Sequence, residues 1–240
     1  MTKLILSNLI KTYDNKPVVN GVNIKANKGE VTGLLGPNGA GKTTTFYMTI
    51  GMIKPDKGKV FLDQNEITDY PIYLRARKGL GYLPQESSIF RKLTVRENIT
   101  AILEVLPNTN SDINKKADLI MHELGISSLA EKKAGLLSGG ERRRLEISRV
   151  LATKPLFILL DEPFAGIDPM AVSDIQNIIT QLSKKKIGIL ISDHNVRETL
   201  GVCDFAYIMN QGTVIESGNP KKIASSKIAK KIYLGNNFKL

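Results

Sequence analysis

The sequence predicts an α/β protein: a parallel sheet covered by helices, an antiparallel β layer ahead of it, and a helical insert within it. Three observations carry that prediction. Short apolar runs bounded by polar or glycine residues recur at 31–35, 157–160 and 187–191, the pattern of strands buried on both faces. The first 30 residues alternate instead, through Leu4 and Leu6 and again through Val18, Val19, Val22 and Ile24, as antiparallel strands do. Over 94–151 the chain becomes more polar and helix-like, and it opens there on Thr94-Val95-Arg96-Glu97, a capping-box pattern.

Each element follows in order. The whole chain, 1–240, reads as one domain. Within it, 1–86 and 152–240 supply the β layer and the sheet core, and 87–151 forms the helical subdomain. A helix is expected to leave the run 31–35 at about 43–52. Near the end, 205–209 and 213–216 flank the turn Gln211-Gly212 and read as a small hairpin. A short basic helix is expected at about 227–234.

Composition narrows the function classes. The single cysteine, Cys203, excludes a disulfide framework, and its expected role is a small apolar core residue. The stretch from Met1 to Asn8 lacks the apolar core of a signal peptide. No stretch approaches the roughly 18 apolar residues of a membrane span. These readings set the expectation of a soluble, cytoplasmic chain. The net charge of +11 suits an anionic neighbour, either nucleic acid or an anionic membrane surface. Scattered lysines that keep a surface soluble account for it equally well.

The chemistry begins at Gly36-Pro37-Asn38-Gly39-Ala40-Gly41-Lys42-Thr43, followed by Thr44. Glycines let the backbone curl so that successive N–H groups converge on phosphate oxygens. A helix starting at the end of the loop adds the positive end of its dipole. Lys42 would supply charge to the β- and γ-phosphates of ATP, and the Thr43 hydroxyl would ligate Mg²⁺.

The run 157–160 ends in Asp161-Glu162. Side chains alternate along a strand, so the two acids face different ways and take different work. Asp161 suits the Mg²⁺ shell, and Glu162 suits a general base for the attacking water. Gln85, after Tyr82-Leu83-Pro84, is placed to reach the metal or the water. His194 follows the run 187–191, at the carboxyl end of a parallel strand, where α/β sheets bind ligands. His122, on a helix-like run, reads as a surface residue. Tyr13 suits stacking on adenine, with hairpin packing as its rival.

Leu137-Ser138-Gly139-Gly140-Glu141 precedes Arg142-Arg143-Arg144. Ser138 and Glu141 form a capping-box pattern. The two glycines between them leave amides open at a helix start, a second anion site. The Gly36–Thr44 loop already fills the local site, so this second one is expected to serve another subunit's ATP.

Together these motifs resemble the nucleotide-binding domain of ABC transporters, and the resemblance covers essentially the whole chain. It implies a P-loop, RecA-like core with an N-terminal antiparallel β subdomain and an inserted α-helical subdomain. It implies an ATPase working as a head-to-tail homodimer, in which Ser138, Gly139, Gly140 and Glu141 bind ATP in trans. Asp168, in Ala165-Gly166-Ile167-Asp168-Pro169, would belong to the loop linking the two sites; locally it also fits an N-cap followed by proline. Longer segments, among them Ser138–Glu146, Asp161–Gly166, Asp193–Leu200 and Gly41–Met48, resemble the ATPases of lipopolysaccharide-export transporters of Gram-negative bacteria. That likeness implies two transmembrane permease subunits, whose coupling helices would sit in a groove marked by Phe90 and Arg91. It places the chain on the cytoplasmic face of the inner membrane, with nucleic acid not expected as a partner. The alternatives are the ATPase of a branched-chain amino-acid importer and a soluble ABC-type ATPase acting on nucleic acid. A P-loop kinase gives no reason for Ser138-Gly139-Gly140.

Overall fold

Alternation and burial sort the strands into two sheets. The computed structural model describes residues 2–106, 110–238 and 240. Met1 and three residues of the predicted insert, 107–109, lie outside them. The chain runs β1 (Lys3–Tyr13), β2 (Lys16–Asn27), β3 (Val31–Leu35), α1 (Lys42–Ile50), β4 (Lys57–Leu62), β5 (Asn65–Glu66), α2 (Ile72–Arg77) and β6 (Leu80–Leu83). Then come α3 (Val95–Glu104), α4 (Asn110–Glu123) and α5 (Gly139–Ala152). The remainder is β7 (Phe157–Asp161), α6 (Pro169–Lys184), β8 (Gly188–Ser192), α7 (Val196–Val202), β9 (Phe205–Asn210), β10 (Thr213–Gly218), α8 (Pro220–Ser225) and α9 (Lys227–Ala229).

Among the described residues one sheet is antiparallel, in the order β2-β1-β4-β5, and the other has the order β10-β9-β3-β8-β7-β6. In the second sheet β9, β3, β8, β7 and β6 run parallel. Every residue of β3, β7 and β8 is buried, as expected of central parallel strands covered on both faces. The strand and helix classes agree with the α/β expectation. The expected 205–216 hairpin forms, and its β9 also pairs with β3, which joins it to the main sheet. The basic terminal segment is a short α9 that passes into a π-helical turn at Lys230–Leu234, not one continuous α-helix.

Three apolar clusters fill the fold. Phe46, Met48 and Ile50 of α1 are buried between the two sheets with Leu34, Leu159 and Leu190, and each such side chain contributes about 1.5–3 kcal/mol on full burial. A second cluster joins the other face of the main sheet to α3, α4, α5 and α6, through residues such as Ile99, Met121, Leu145 and Ile175. Cys203 belongs to it, against Gly33, and burial drives its thiol far above the ordinary range, so the core role holds. A third cluster holds the C-terminal turn, with Tyr233, Leu234 and Phe238, against Leu35, Val196 and Leu200. The predicted capping box forms: Thr94 Oγ1 accepts from the Glu97 amide at 3.1 Å, and Glu97 Oε2 accepts from the Thr94 amide at 2.7 Å.

Candidate functional site

Four strands of the main sheet end in the same direction, and each hands over a polar group from the sequence reading: β3 leads to Gly36, β6 to Gln85, β7 to Asp161-Glu162, and β8 to His194. This is the edge of a parallel sheet where ligands are held.

The loop after β3 is shaped by glycine. Gly36 has φ 151° and Gly41 φ 99°. A Cβ on Gly36 would stand 2.2 Å from the Met209 carbonyl oxygen, and one on Gly41 would stand 2.6 Å from that of Val18. Both positions therefore exclude side chains on packing as well as on backbone conformation. Gly41 is the N-cap of α1 and supplies no side-chain cap, so the first amides of that helix remain as donors at its positive end. Lys42 folds back into the loop, and its Nζ donates to the carbonyls of Gly36 at 2.7 Å and Pro37 at 3.0 Å. Burial lowers its pKa, while the charges of Glu162, Asp161 and Asp193 oppose that shift. Asn38, Gly39 and Thr43 are exposed, Thr44 is half-buried, and Ala40 is buried.

Asp161 and Glu162 diverge, as strand alternation requires. Asp161 is almost fully buried, and its Oδ2 accepts a 3.3 Å hydrogen bond from the Tyr82 hydroxyl. Burial raises its pKa to about 6, with Tyr82 and Lys42 pulling the other way. Glu162 stands in the left-handed region at φ 46°, a conformation a non-glycine residue keeps only where its surroundings over-determine it. Those surroundings are visible. The Glu162 amide donates to the Ser192 carbonyl at 2.6 Å, Gln85 Nε2 donates to Glu162 Oε2 at 2.8 Å, and His194 Nδ1 lies 3.3 Å from the same oxygen. Gln85, Glu162 and His194 therefore meet at one carboxylate.

Two residues that the sequence reading passed over hold this cluster in place. Asp193 is fully buried; its Oδ2 accepts from the Phe164 amide and its Oδ1 from the Asn195 amide, which ties the loop after Glu162 to the loop carrying His194. Arg143 of α5 donates to the Pro84 carbonyl at 3.0 Å, to the Asp161 carbonyl at 3.2 Å and to Glu146 at 2.9 Å. It links α5 to the ends of β6 and β7. Both lie inside motifs the sequence displayed, but their partners are distant in sequence and nothing local signals them.

Ser138 is the N-cap of α5 in a complete capping box: its Oγ accepts from the Glu141 amide at 3.3 Å, and Glu141 Oε2 accepts from the Ser138 amide at 2.8 Å. Ser138 and Gly139 are exposed and Gly140 is buried, with Ala171 where a Cβ would go. Asp168 is the N-cap of α6, ahead of Pro169, and accepts from the Ala171 amide at 3.0 Å. Tyr13 is 43% exposed at the end of β1, with Lys11 over its ring.

Phe90 is 46% exposed, and the Arg149 guanidinium sits 4.5 Å from its ring centroid. Arg149 also donates to the Ser88 carbonyl. A cavity of about 250 Å³ opens beside them, walled by Ile50, Ile72, Tyr82, Ile102 and Arg149 among others. Neither Phe90 nor Arg91 lines it directly; Phe90 reaches it through Arg149. Arg91 is exposed, and its carbonyl accepts from the Gly135 amide. His122 is exposed, as expected. Among the described residues no helix is long and apolar enough to cross a membrane.

The family model described as ABC transporter matches residues 19–165. The lipopolysaccharide export system ATP-binding protein LptB of Haemophilus influenzae is 51% identical over 241 residues, covering all of both chains. The protein of the same name from Escherichia coli (strain K12) is 49% identical, again over the full length of both. A crystal structure of the ADP conformation of an ATP-binding cassette of an ABC transporter superposes with a TM-score of 0.89 at 32% identity, covering 98% of this chain and all of that one. A glycine loop opening an uncapped helix, two divergent acids at a strand end, and these full-length matches lead to one conclusion: the chain belongs to the ABC transporter family, as one of its ATP-hydrolysing cassettes that work with membrane partners.

Proposed function

We propose that this cassette is the motor of a lipopolysaccharide exporter, extracting the lipid from the inner membrane and driving it toward the outer membrane. The observation that carries the proposal is the identity of about half of all positions, end to end, with proteins named for that task. The cassette sits on the cytoplasmic face of the inner membrane, bound to two transmembrane permease subunits. Their coupling helices press on the surface around Phe90, Arg91 and the adjoining cavity. In this reading 1–86 and 152–240 carry the β layer and P-loop core, and 87–151 is the helical subdomain.

The site works as a C₂ homodimer, which makes two equivalent sites. Gly36, Pro37, Asn38, Gly39, Ala40, Gly41, Lys42, Thr43 and Thr44 cradle the phosphates, and Tyr13 stacks on adenine. Ser138, Gly139, Gly140 and Glu141 of the second copy meet the same ATP from the other side. Asp168 lies in the loop between the two sites. The Thr43 hydroxyl, the Gln85 amide oxygen and the Asp161 carboxylate are hard oxygen donors with a single negative charge among them. That set fits Mg²⁺, which takes one or two carboxylates together with substrate phosphates. When bound, the ion neutralises charge on the β- and γ-phosphate oxygens. Glu162, oriented by Gln85 and His194, accepts a proton from water as the water oxygen bonds to the γ-phosphorus and the bond to ADP breaks.

Purification with membrane subunits tests the proposal. The complex should retain lipopolysaccharide and release it when ATP is added. A complex that holds a different solute, or an ATPase stimulated by nucleic acid in a salt-dependent way, would overturn it.

A further inference from the structure

The cavity beside Arg149 and the candidate metal carboxylate share one side chain. Tyr82 lies on β6, the edge strand of the main sheet, opposite Leu159 of β7. Side chains alternate along strands, so Tyr82, Leu159 and Asp161 share a face, with Asp161 one diagonal step beyond the direct neighbour. A tyrosine spans that step, and its hydroxyl donates to Asp161 Oδ2 at 3.3 Å. The flank of the same ring forms part of the cavity wall.

We propose that Tyr82 is a positioning residue for the metal site: its hydroxyl fixes the rotation of the Asp161 carboxylate through Oδ2 and leaves Oδ1 for the ion. This rests on the assignment of Asp161 to the Mg²⁺ shell. Two observations support it. Among the described residues the side-chain carboxylate of Asp161 accepts one hydrogen bond from the protein, that of the Tyr82 hydroxyl at Oδ2, which fixes one of its two oxygens. Ligating carboxylates are commonly held by an outer hydrogen bond, and loss of such a bond weakens metal affinity by about 10–100-fold. A consequence follows for coupling. Whatever presses on the ring from the cavity acts on a residue bonded directly to the carboxylate.

The test is Tyr82→Phe in the full-length protein, which keeps the ring and removes only the donor. Mn²⁺ is titrated into protein loaded with a slowly hydrolysed ATP analogue and followed by electron paramagnetic resonance, with Asp161→Asn as a parallel variant. Tyr82→Phe should raise the apparent Kd for Mn²⁺ about 10-fold, with nucleotide affinity in EDTA and the metal-free unfolding midpoint close to those of the parent. Its ATPase deficit should shrink as Mg²⁺ is raised, a change in the metal requirement that a packing role would not produce. Normal Mn²⁺ affinity in Tyr82→Phe beside weak affinity in Asp161→Asn would overturn the inference. So would a Tyr82→Phe protein that loses stability and metal-free nucleotide affinity in step with metal affinity, since that marks a packing residue. Normal Mn²⁺ affinity in Asp161→Asn would instead remove the metal assignment, and the inference with it.

Discussion

Two helices of this protein start at glycine-rich segments, and they start differently. Before α1, Gly41 offers no side chain, so the first amides of the helix have no internal acceptor and point into a loop shaped by Gly36 and Lys42. Before α5, Ser138 and Glu141 satisfy each other in a closed capping box, and the segment faces outward. The first helix start is incomplete as protein, and its own chain surrounds the gap with Lys42, Asp161 and Glu162. The second is complete as protein and faces outward, so any part of it in the chemistry would depend on something arriving from outside. An open helix start is an invitation to an anion within one chain. A capped, exposed one followed by two glycines suits a contact made across an interface. In the proposed dimer the two helix starts would meet one ATP from opposite sides.

The largest expected effect breaks the chemistry on the first side alone. Glu162→Gln keeps an acceptor for Gln85 and the shape of the cluster but removes the base. Steady-state hydrolysis should fall by about 10²–10⁴-fold, with ATP affinity unchanged and the ATP-bound dimer long-lived in size-exclusion chromatography. Full turnover would show that the carboxylate at the strained φ of 46° is there for structure only.

The first helix start was legible in the sequence and the second only half so, for physical reasons. Gly36–Thr43 is local: a nest, a helix start and a lysine are all set by neighbours along the chain, so spacing alone reveals them. Asp161 and Glu162 were nearly as plain, because strand alternation sends consecutive acids to different places. The meeting of Gln85, Glu162 and His194 depends on β6, β7 and β8 lying side by side, which is sheet order and is not encoded in any one segment. Asp193, Arg143 and Tyr82 were not read as functional. Their partners lie 29, 18 and 79 residues away, and a hydrogen bond across that distance leaves no periodic trace. The 205–216 hairpin was legible because its turn is local, whereas the pairing of β9 with β3 was not, for the same reason.

The next effect separates the two duties of Ser138. Aspartate is as good an N-cap as serine, so Ser138→Asp should leave the unfolding free energy within about 0.5 kcal/mol of the parent. The same change puts a negative charge where the partner's γ-phosphate is proposed to lie, and like charges in an interface cost several kcal/mol. ATP-driven dimer closure should be lost and ATPase activity should drop by about 10–100-fold, while ATP still binds the monomer. A protein with normal stability and normal hydrolysis would confine Ser138 to its local cap and leave the split site without its far half.

The smallest effect concerns what the first side costs the fold before any ligand binds. Burial holds the Asp161 carboxyl up at about 6, against about 3.9 in an unfolded chain. Folding favours the protonated form, so the group's favourable contribution is complete below about pH 4 and is lost as pH rises through 6. At neutral pH the charged side chain is a liability that a bound cation would relieve. Asp161→Asn imitates the protonated form at every pH. In EDTA and without nucleotide it should therefore be more stable than the parent at pH 7.5, by about 1–2 kcal/mol once partial solvent access is allowed for. The advantage should fall to about a third of that at pH 4.5, since the unfolded carboxyl is still mostly charged there. Urea unfolding of both proteins at the two pH values measures it, and other titrating groups cancel in the difference. A variant no more stable than its parent at pH 7.5 would mean that Lys42 and Tyr82 already offset the buried charge, and that the first helix start waits for its ligand at no cost to the fold.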